Sequence, residues 1–225
     1  MIHIVIPCYN MEAFVDAAIR SVKSQTSDNW DCIVVDDGST DSSGRIIDRL
    51  TDGDPRFRVI HSRNKGVAHA RNLAIREAGD GYILPLDADD VLAPRAVEVF
   101  SLFWQELPDA SLLVPRIERF GDGRLERQER LWTGYEELKR RCTPTNSSCF
   151  RYDDWKRVGG YRSWSMYEDW EFWLRLLYKN DNVVNIPEVL VGYRVRPNSR
   201  VRKANARHAW EVSLIRRFNP EIFNP

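Results

Sequence analysis

Over the first ninety residues, short runs of β-branched and aliphatic residues alternate with stretches whose apolar residues recur at helical spacing. Ile2 to Pro7 reads as a buried strand, with Asn10 as a helix cap and Met11, Phe14, Val15, Ala18, Ile19 and Val22 on one helical face. Cys32-Ile33-Val34-Val35 then precedes Ile46, Ile47 and Leu50, and Phe57-Arg58-Val59-Ile60 precedes Val67, Ala70, Ala74 and Ala78. A fourth run, Tyr82 to Leu86, closes in Asp87-Ala88-Asp89-Asp90. Parallel strands need long crossovers, and the alternation predicts an α/β chain with a mainly parallel sheet and helices on both faces. Ligands of such sheets bind beyond the carboxyl ends of the strands. Asp36-Asp37 and Asp87 to Asp90 lie at two such ends, so acidic loops about 50 residues apart are expected to converge on one crevice.

Past Pro94 the pattern changes. Val97, Phe100, Trp104 and Leu107 mark a helix, and Ser111 to Phe120 with Leu125 to Leu131 flank Gly121-Asp122-Gly123 as a hairpin. The second half therefore reads as mixed α+β. No repeat, low-complexity stretch or long linker divides the chain, so residues 1–225 are expected to be one domain with halves 1–93 and 94–225.

Composition narrows the function classes. With 43% hydrophobic residues in 225, the chain can bury a full core. Thirty-three basic residues balance thirty-three acidic ones, which argues against nucleic acid as a partner. No apolar run approaches the ~20 residues that span a bilayer, and Met1 leads directly into a strand, so a cytoplasmic location is expected. Cys8, Cys32, Cys142 and Cys149 have no Cys-x-x-Cys spacing and read as reduced, mostly buried thiols.

The acidic clusters carry the chemistry. A carboxylate pair at the end of a buried strand is costly to desolvate without a compensating cation, which suggests a hard-metal site at Asp87 and Asp89. Asp36 and Asp37 sit where a strand breaks into Gly38-Ser39-Thr40, placed to accept hydrogen bonds from a ligand base; capping of the next helix by Ser39, Thr40 or Asp41 is the alternative. Capping likewise competes for Asp90. Asp169 starts a segment whose Trp170, Trp173, Leu174 and Leu177 form a core-facing stripe, and it falls off that stripe, at the end where the helix dipole favours an ionised carboxylate.

Ile4-Val5-Ile6-Pro7-Cys8-Tyr9-Asn10, Val34-Val35-Asp36-Asp37-Gly38-Ser39-Thr40-Asp41, Asn64-Lys65-Gly66-Val67-Ala68-His69-Ala70-Arg71-Asn72 and Leu86-Asp87-Ala88-Asp89-Asp90 together resemble the signature of family 2 glycosyltransferases. Gly159-Gly160-Tyr161-Arg162 ahead of Glu168-Asp169 also fits. The resemblance implies a GT-A type nucleotide-binding sheet, with residues 1–93 holding a nucleoside-diphosphate sugar, UDP-linked by preference, and residues 94–225 carrying the acceptor side and the base. It implies donor contacts from Pro7, Tyr9, Asp36, Asp37, Lys65, Asp87 and Ala88, and Mn²⁺ or Mg²⁺ on Asp89 with Asp87. Asp169 matches the family's general base for an inverting transfer to a hydroxyl of a glycan or lipid-linked saccharide. Glu168, Trp164 and Tyr167 are the acceptor-side candidates, with ordinary packing or exposure as the alternative for each.

Arg194, Arg196, Arg200, Arg202, Lys203 and Arg207 form a basic stretch that reads either as a solvated face or as a lid whose arginines, Arg200 among them, clamp the diphosphate or grip an anionic, lipid-linked acceptor. His208 follows it and is kept out of the metal set. A role in polysaccharide or glycolipid assembly and a peripheral contact with the inner membrane face extend from the resemblance. Two rival functions stand beside it: a nucleotide-sugar-binding module without turnover, and a sugar nucleotidylyltransferase. The second lacks its Gly-rich basic loop, because Pro7-Cys8-Tyr9-Asn10 takes that place.

Overall fold

The computed structural model describes residues 1–121, 126–128, 131–196, 204 and 206–223. Its order begins β1 (Ile2–Cys8), α1 (Val15–Lys23), β2 (Trp30–Asp36), α2 (Ser43–Thr51), β3 (Phe57–His61), α3 (Val67–Ala78) and β4 (Tyr82–Pro85). It continues β5 (Val91–Leu92), α4 (Ala96–Glu106), β6 (Leu112–Phe120), β7 (Glu126–Gln128), α5 (Tyr135–Leu138), β8 (Cys149–Arg151) and α6 (Tyr152–Val158). Then come α7 (Glu168–Leu177), β9 (Val183–Arg194), α8 (His208–Phe218) and α9 (Pro220–Phe223).

Among the described residues one sheet runs β3-β2-β1-β4-β8-β6-β9-β5, with β7 paired to β6. The first four strands are parallel, as the βα alternation requires. β8 then pairs antiparallel to both β4 and β6, and β9 runs parallel to β6 and antiparallel to β5. The sheet is thus continuous from the first half into the second.

Every residue of β1 is buried, because helices cover both faces. Ile2, Ile4 and Ile6 point to a layer containing Ile19 and Val22 of α1 and Phe100 and Trp104 of α4. Val5 points the other way, toward Ala70 and Ala74 of α3 and Phe172 and Trp173 of α7. The period-two alternation of a strand thus assigns each neighbouring helix to a face. β1, flanked by β2 and β4, ends at Cys8, and the loops that follow these three strands open on the same edge, where a parallel sheet binds its ligands.

One local expectation is corrected. Asn10 does not cap α1, whose N-cap position is Phe14 without a side-chain bond. Asn10 instead adopts φ 53°, and its Oδ1 accepts from the Thr40 backbone N–H at 2.8 Å, tying the loop after β1 to the loop after β2. The predicted hairpin is present as the antiparallel β6–β7 pair. Its tip at 122–125 lies outside the described residues.

Candidate active site

A cleft of about 660 Å³ opens at the carboxyl edge of the parallel strands. Pro7, Tyr9, Asp37, Asp87, Ala88, Asp89, Tyr167, Glu168 and Asp169 all line it, so both acidic loops of the first half meet the start of α7 there. Tyr9 is 44% exposed at the rim, free to offer its ring face to a planar ligand. Asp36, Lys65 and Trp164 are not among the lining residues. Arg200 lies outside the described residues.

The two neighbouring aspartates after β2 do different things. Asp36 is bonded to the Ser39 N–H (3.0 Å) and to Nδ1 of His61 (3.1 Å), which locks the turn that follows. Asp37 accepts from the backbone N–H groups of Lys65 (3.0 Å) and Gly66 (2.8 Å) and from Ser62 Oγ (3.2 Å). Asp37 thereby folds the 62–66 segment back over the cleft at the start of α3. Lys65 contributes its backbone to this fold, and its side chain stays exposed. The N-cap of α2 is Ser42, without a side-chain bond, and the preceding Asp41 accepts from the N–H of Ser43, first residue of the helix, at 2.9 Å.

Around Asp87 to Asp90 three carboxylates crowd together. Asp87 Oδ1 accepts from Arg71 Nη2 (2.7 Å) and Asn146 Nδ2 (3.1 Å). Oδ2 of Asp89 lies 2.6 Å from Arg196 Nε, an ion pair without hydrogen-bond alignment. Burial, and then the charge of Asp87, push the Asp89 carboxyl above its usual range against the pull of Arg196. Asp90 is buried and accepts the Arg194 N–H at 2.8 Å, so it fastens the end of β9 and caps no helix.

At α7, Glu168 is 4% exposed, which removes the reading of it as a solvated first-turn residue. Its Oε1 accepts from Arg71 Nη1 at 2.8 Å. Asp169 is partly open to the cleft, and its Oδ1 accepts from the Trp170 N–H at 2.8 Å. Burial raises the Asp169 carboxyl, the adjacent Glu168 adds to the rise, and Arg71 opposes it. A more basic carboxylate facing a cleft is suited to taking a proton. Trp164 packs on Phe218 at 4.8 Å between ring centroids and belongs to the packing under α8. Tyr167 faces the cleft with Trp170 and His208, and its Oη lies 3.1 Å from His208 Nδ1. Cys8 also lines the cleft, but burial pushes its thiol up to about 12, so it offers no thiolate nucleophile.

Residues 3–168 match the family model described as Glycosyl transferase family 2. The chain belongs to that family. GlyG, a glycosyltransferase of Streptococcus pneumoniae, is 37% identical over 115 residues, 51% of this chain and 38% of GlyG. The chain thus spans under half the length of this curated relative. TarS of S. aureus, solved with UDP-GlcNAc, superposes with a TM-score of 0.77 at 17% identity over 90% of this chain and 61% of the TarS chain. The mannosyltransferase PcManGT from Pyrobaculum calidifontis, solved with GDP-Man and Mn²⁺, gives 0.71 at 18% identity over 94% and 62%. These likenesses establish the fold of this family 2 glycosyltransferase as GT-A. Among its described residues no helix is long and apolar enough to cross a membrane.

Three cleft residues of this glycosyltransferase carry no sequence-derived role. Arg71 sits inside a recognised motif, and its signal is a charge on the apolar stripe Val67, Ala70, Ala74 and Ala78. Arg196 falls in a basic stretch whose pattern does not single it out. Asn146 lies in the aperiodic segment before β8, where no pattern marks it.

Proposed function

We propose that this chain moves a glycosyl group from a nucleoside-diphosphate sugar, UDP-linked by preference, to a hydroxyl of a glycan or lipid-linked saccharide, with inversion at the anomeric carbon. The observation that supports this reading is the single cleft whose walls carry both the Asp87–Asp89 pair and Asp169. In the proposed reaction Asp169 accepts the acceptor hydroxyl's proton as its oxygen bonds to the anomeric carbon, and the bond to the nucleoside diphosphate breaks on the opposite face. One base suffices for this displacement. Tyr9, Pro7 and Asp37 line the end of the cleft assigned to the nucleoside, and Asp36 acts through the turn it locks. Lys65 holds the backbone of that wall. Tyr167 is assigned to the acceptor, and Glu168 holds the base helix.

The donor set fits a divalent cation, Mn²⁺ or Mg²⁺. Asp87 and Asp89 supply two hard oxygen ligands, and the burial and the Asp87 charge that raise Asp89 are what a cation would offset. Such cations commonly bind through one or two carboxylates and take phosphate oxygens and water as their other ligands; among the described residues no group of three or more His, Cys, Asp or Glu forms a metal site. When bound, the cation would offset charge on the departing diphosphate. Arg194 and Arg196 line the same wall; the diphosphate contact proposed for Arg200 lies outside the described residues. Relatives solved with UDP-GlcNAc and GDP-Man support a nucleotide sugar as donor class. A cytoplasmic location, with acceptors approached at the membrane face, is consistent with this donor chemistry.

Proton NMR of a UDP- and GDP-sugar panel, followed in real time, tests the reading. Release or transfer with inverted anomeric configuration is expected, and Asp169→Asn is expected to lower turnover about 10²–10⁴-fold while nucleotide still binds. Retained configuration, or full turnover in Asp169→Asn, contradicts it.

A further inference from the structure

Arg71 joins the two halves of the cleft. It lies on the second turn of α3, 3% exposed, and its two terminal nitrogens go to carboxylates from different elements. Nη2 donates to Asp87 on the loop after β4 at 2.7 Å, and Nη1 donates to Glu168 at the start of α7 at 2.8 Å, 97 positions along the chain. The guanidinium lies 5.4 Å from the centroid of the Tyr161 ring. The next residue, Asn72, clasps the segment leading to α7: Oδ1 accepts from the Tyr161 N–H (2.8 Å) and Trp155 Nε1 (2.9 Å), and Nδ2 donates to the Tyr161 carbonyl (2.7 Å). Two consecutive residues of one helix therefore fix where α7 begins. A planar fork can hold two carboxylates at once, which an ammonium cannot do with the same geometry.

From this geometry, and resting on the reading of Asp169 as the base, we propose that Arg71 is a positioning residue: its fork fixes the base helix against the donor loop and so sets where Asp169 meets the acceptor. The charged and titratable groups that face Asp169 are Glu168 on its own helix, Arg71 from α3, Asp87 from the loop after β4, and Tyr161 and Tyr167 from the segment before α7. Arg71 is the cation in that set, which holds two carboxylates, Glu168 and Asp87. Without it, Asp169 faces Glu168 and Asp87 without the guanidinium that both of them bond, and its proton is held more tightly. Burial disfavours the charge on Arg71 itself, but Asp87 and Glu168 more than reverse that, so the guanidinium stays charged throughout the working range.

The test pairs Arg71→Met with Arg71→Lys and reads two quantities. The first is the titration of the Asp169 side-chain carboxyl carbon by ¹³C NMR, assigned with Asp169→Asn. The second is the pH profile of turnover on the nucleotide sugar the wild type accepts. Arg71→Met is expected to move the Asp169 titration and the acid limb of the profile upward by about one pH unit. Arg71→Lys is expected to return both toward wild type while turnover stays at least about tenfold low, because one ammonium cannot hold both carboxylates in place. If Arg71→Met fails to fold, the same substitution in a Glu168→Gln background removes the charge of one of the two carboxylates that Arg71 bonds, and the shift is read against Glu168→Gln alone. An unmoved Asp169 titration in a folded Met variant, or full turnover in the Lys variant, overturns the proposal. If the wild type turns over no nucleotide sugar, the reaction reading fails, and the carboxyl titration still decides the role of Arg71.

Discussion

Asp169 is placed where charge is disfavoured, and that placement links its chemistry to the stability of the fold. Burial and Glu168 raise its folded-state value, so the protonated form is favoured in the native state relative to the unfolded chain. Its contribution to stability is greatest below the unfolded-state value and is lost as pH rises through the raised folded one. At neutral pH the ionised residue therefore destabilises the fold. Asp169→Asn is expected to raise the melting temperature at pH 7 by a few degrees, with the gain disappearing near pH 4, as differential scanning calorimetry on both proteins would show. A melting temperature lowered at pH 7 would mean that the carboxylate stabilises the structure through a partner. The sequence marks Asp169 well, because it stands off an apolar stripe at a helix start. It marks Asp36 and Asp37 less well, because two adjacent aspartates after a strand look alike until backbone geometry sends one to His61 and the other to the 62–66 segment.

At the scale of elements, α3 and the loop before α7 carry the weight of the site. Gly160 sits in that loop with φ +74°, and a Cβ there would lie 2.6 Å from Asn72 Oδ1 and 2.8 Å from Trp155 Nε1. Gly160→Ala thus combines left-handed strain with a clash against the Asn72 clasp. It is expected to destabilise by about 1–3 kcal/mol in urea titrations and to lower turnover more than nucleotide affinity. The boundaries of α3 and the core stripe of α7 were legible because each has a long apolar periodicity. The role of Arg71 was not, since periodicity places a residue on a face without naming what meets it there. Trp164 shows the same limit from the other side. Its aromatic ring suggests a platform, and its partner, Phe218, ends a helix and lies more than fifty positions along the chain.

For the whole molecule, the parallel half was readable from βα alternation, and the crevice followed from the rule that such sheets bind ligands beyond their carboxyl ends. The second half was less readable, for physical reasons. β8 is only three residues long, yet it bridges β4 and β6, and so short a strand leaves no periodic signal. β9 is twelve residues long, but its pairing with β6 shifts register at Arg116, which breaks simple alternation. The Arg196–Asp89 contact also depends on the path of β9, which no local pattern specifies. The proposed function joins these scales in one cleft, where Asp89 would hold a divalent cation against the diphosphate of a nucleotide sugar. Calorimetric titration of UDP and GDP, with and without Mn²⁺, into wild type and Asp89→Ala tests it most directly. Binding of one nucleotide that requires Mn²⁺ and is lost in Asp89→Ala is the predicted result, and equal binding with and without metal, or unchanged binding in the variant, would contradict the account.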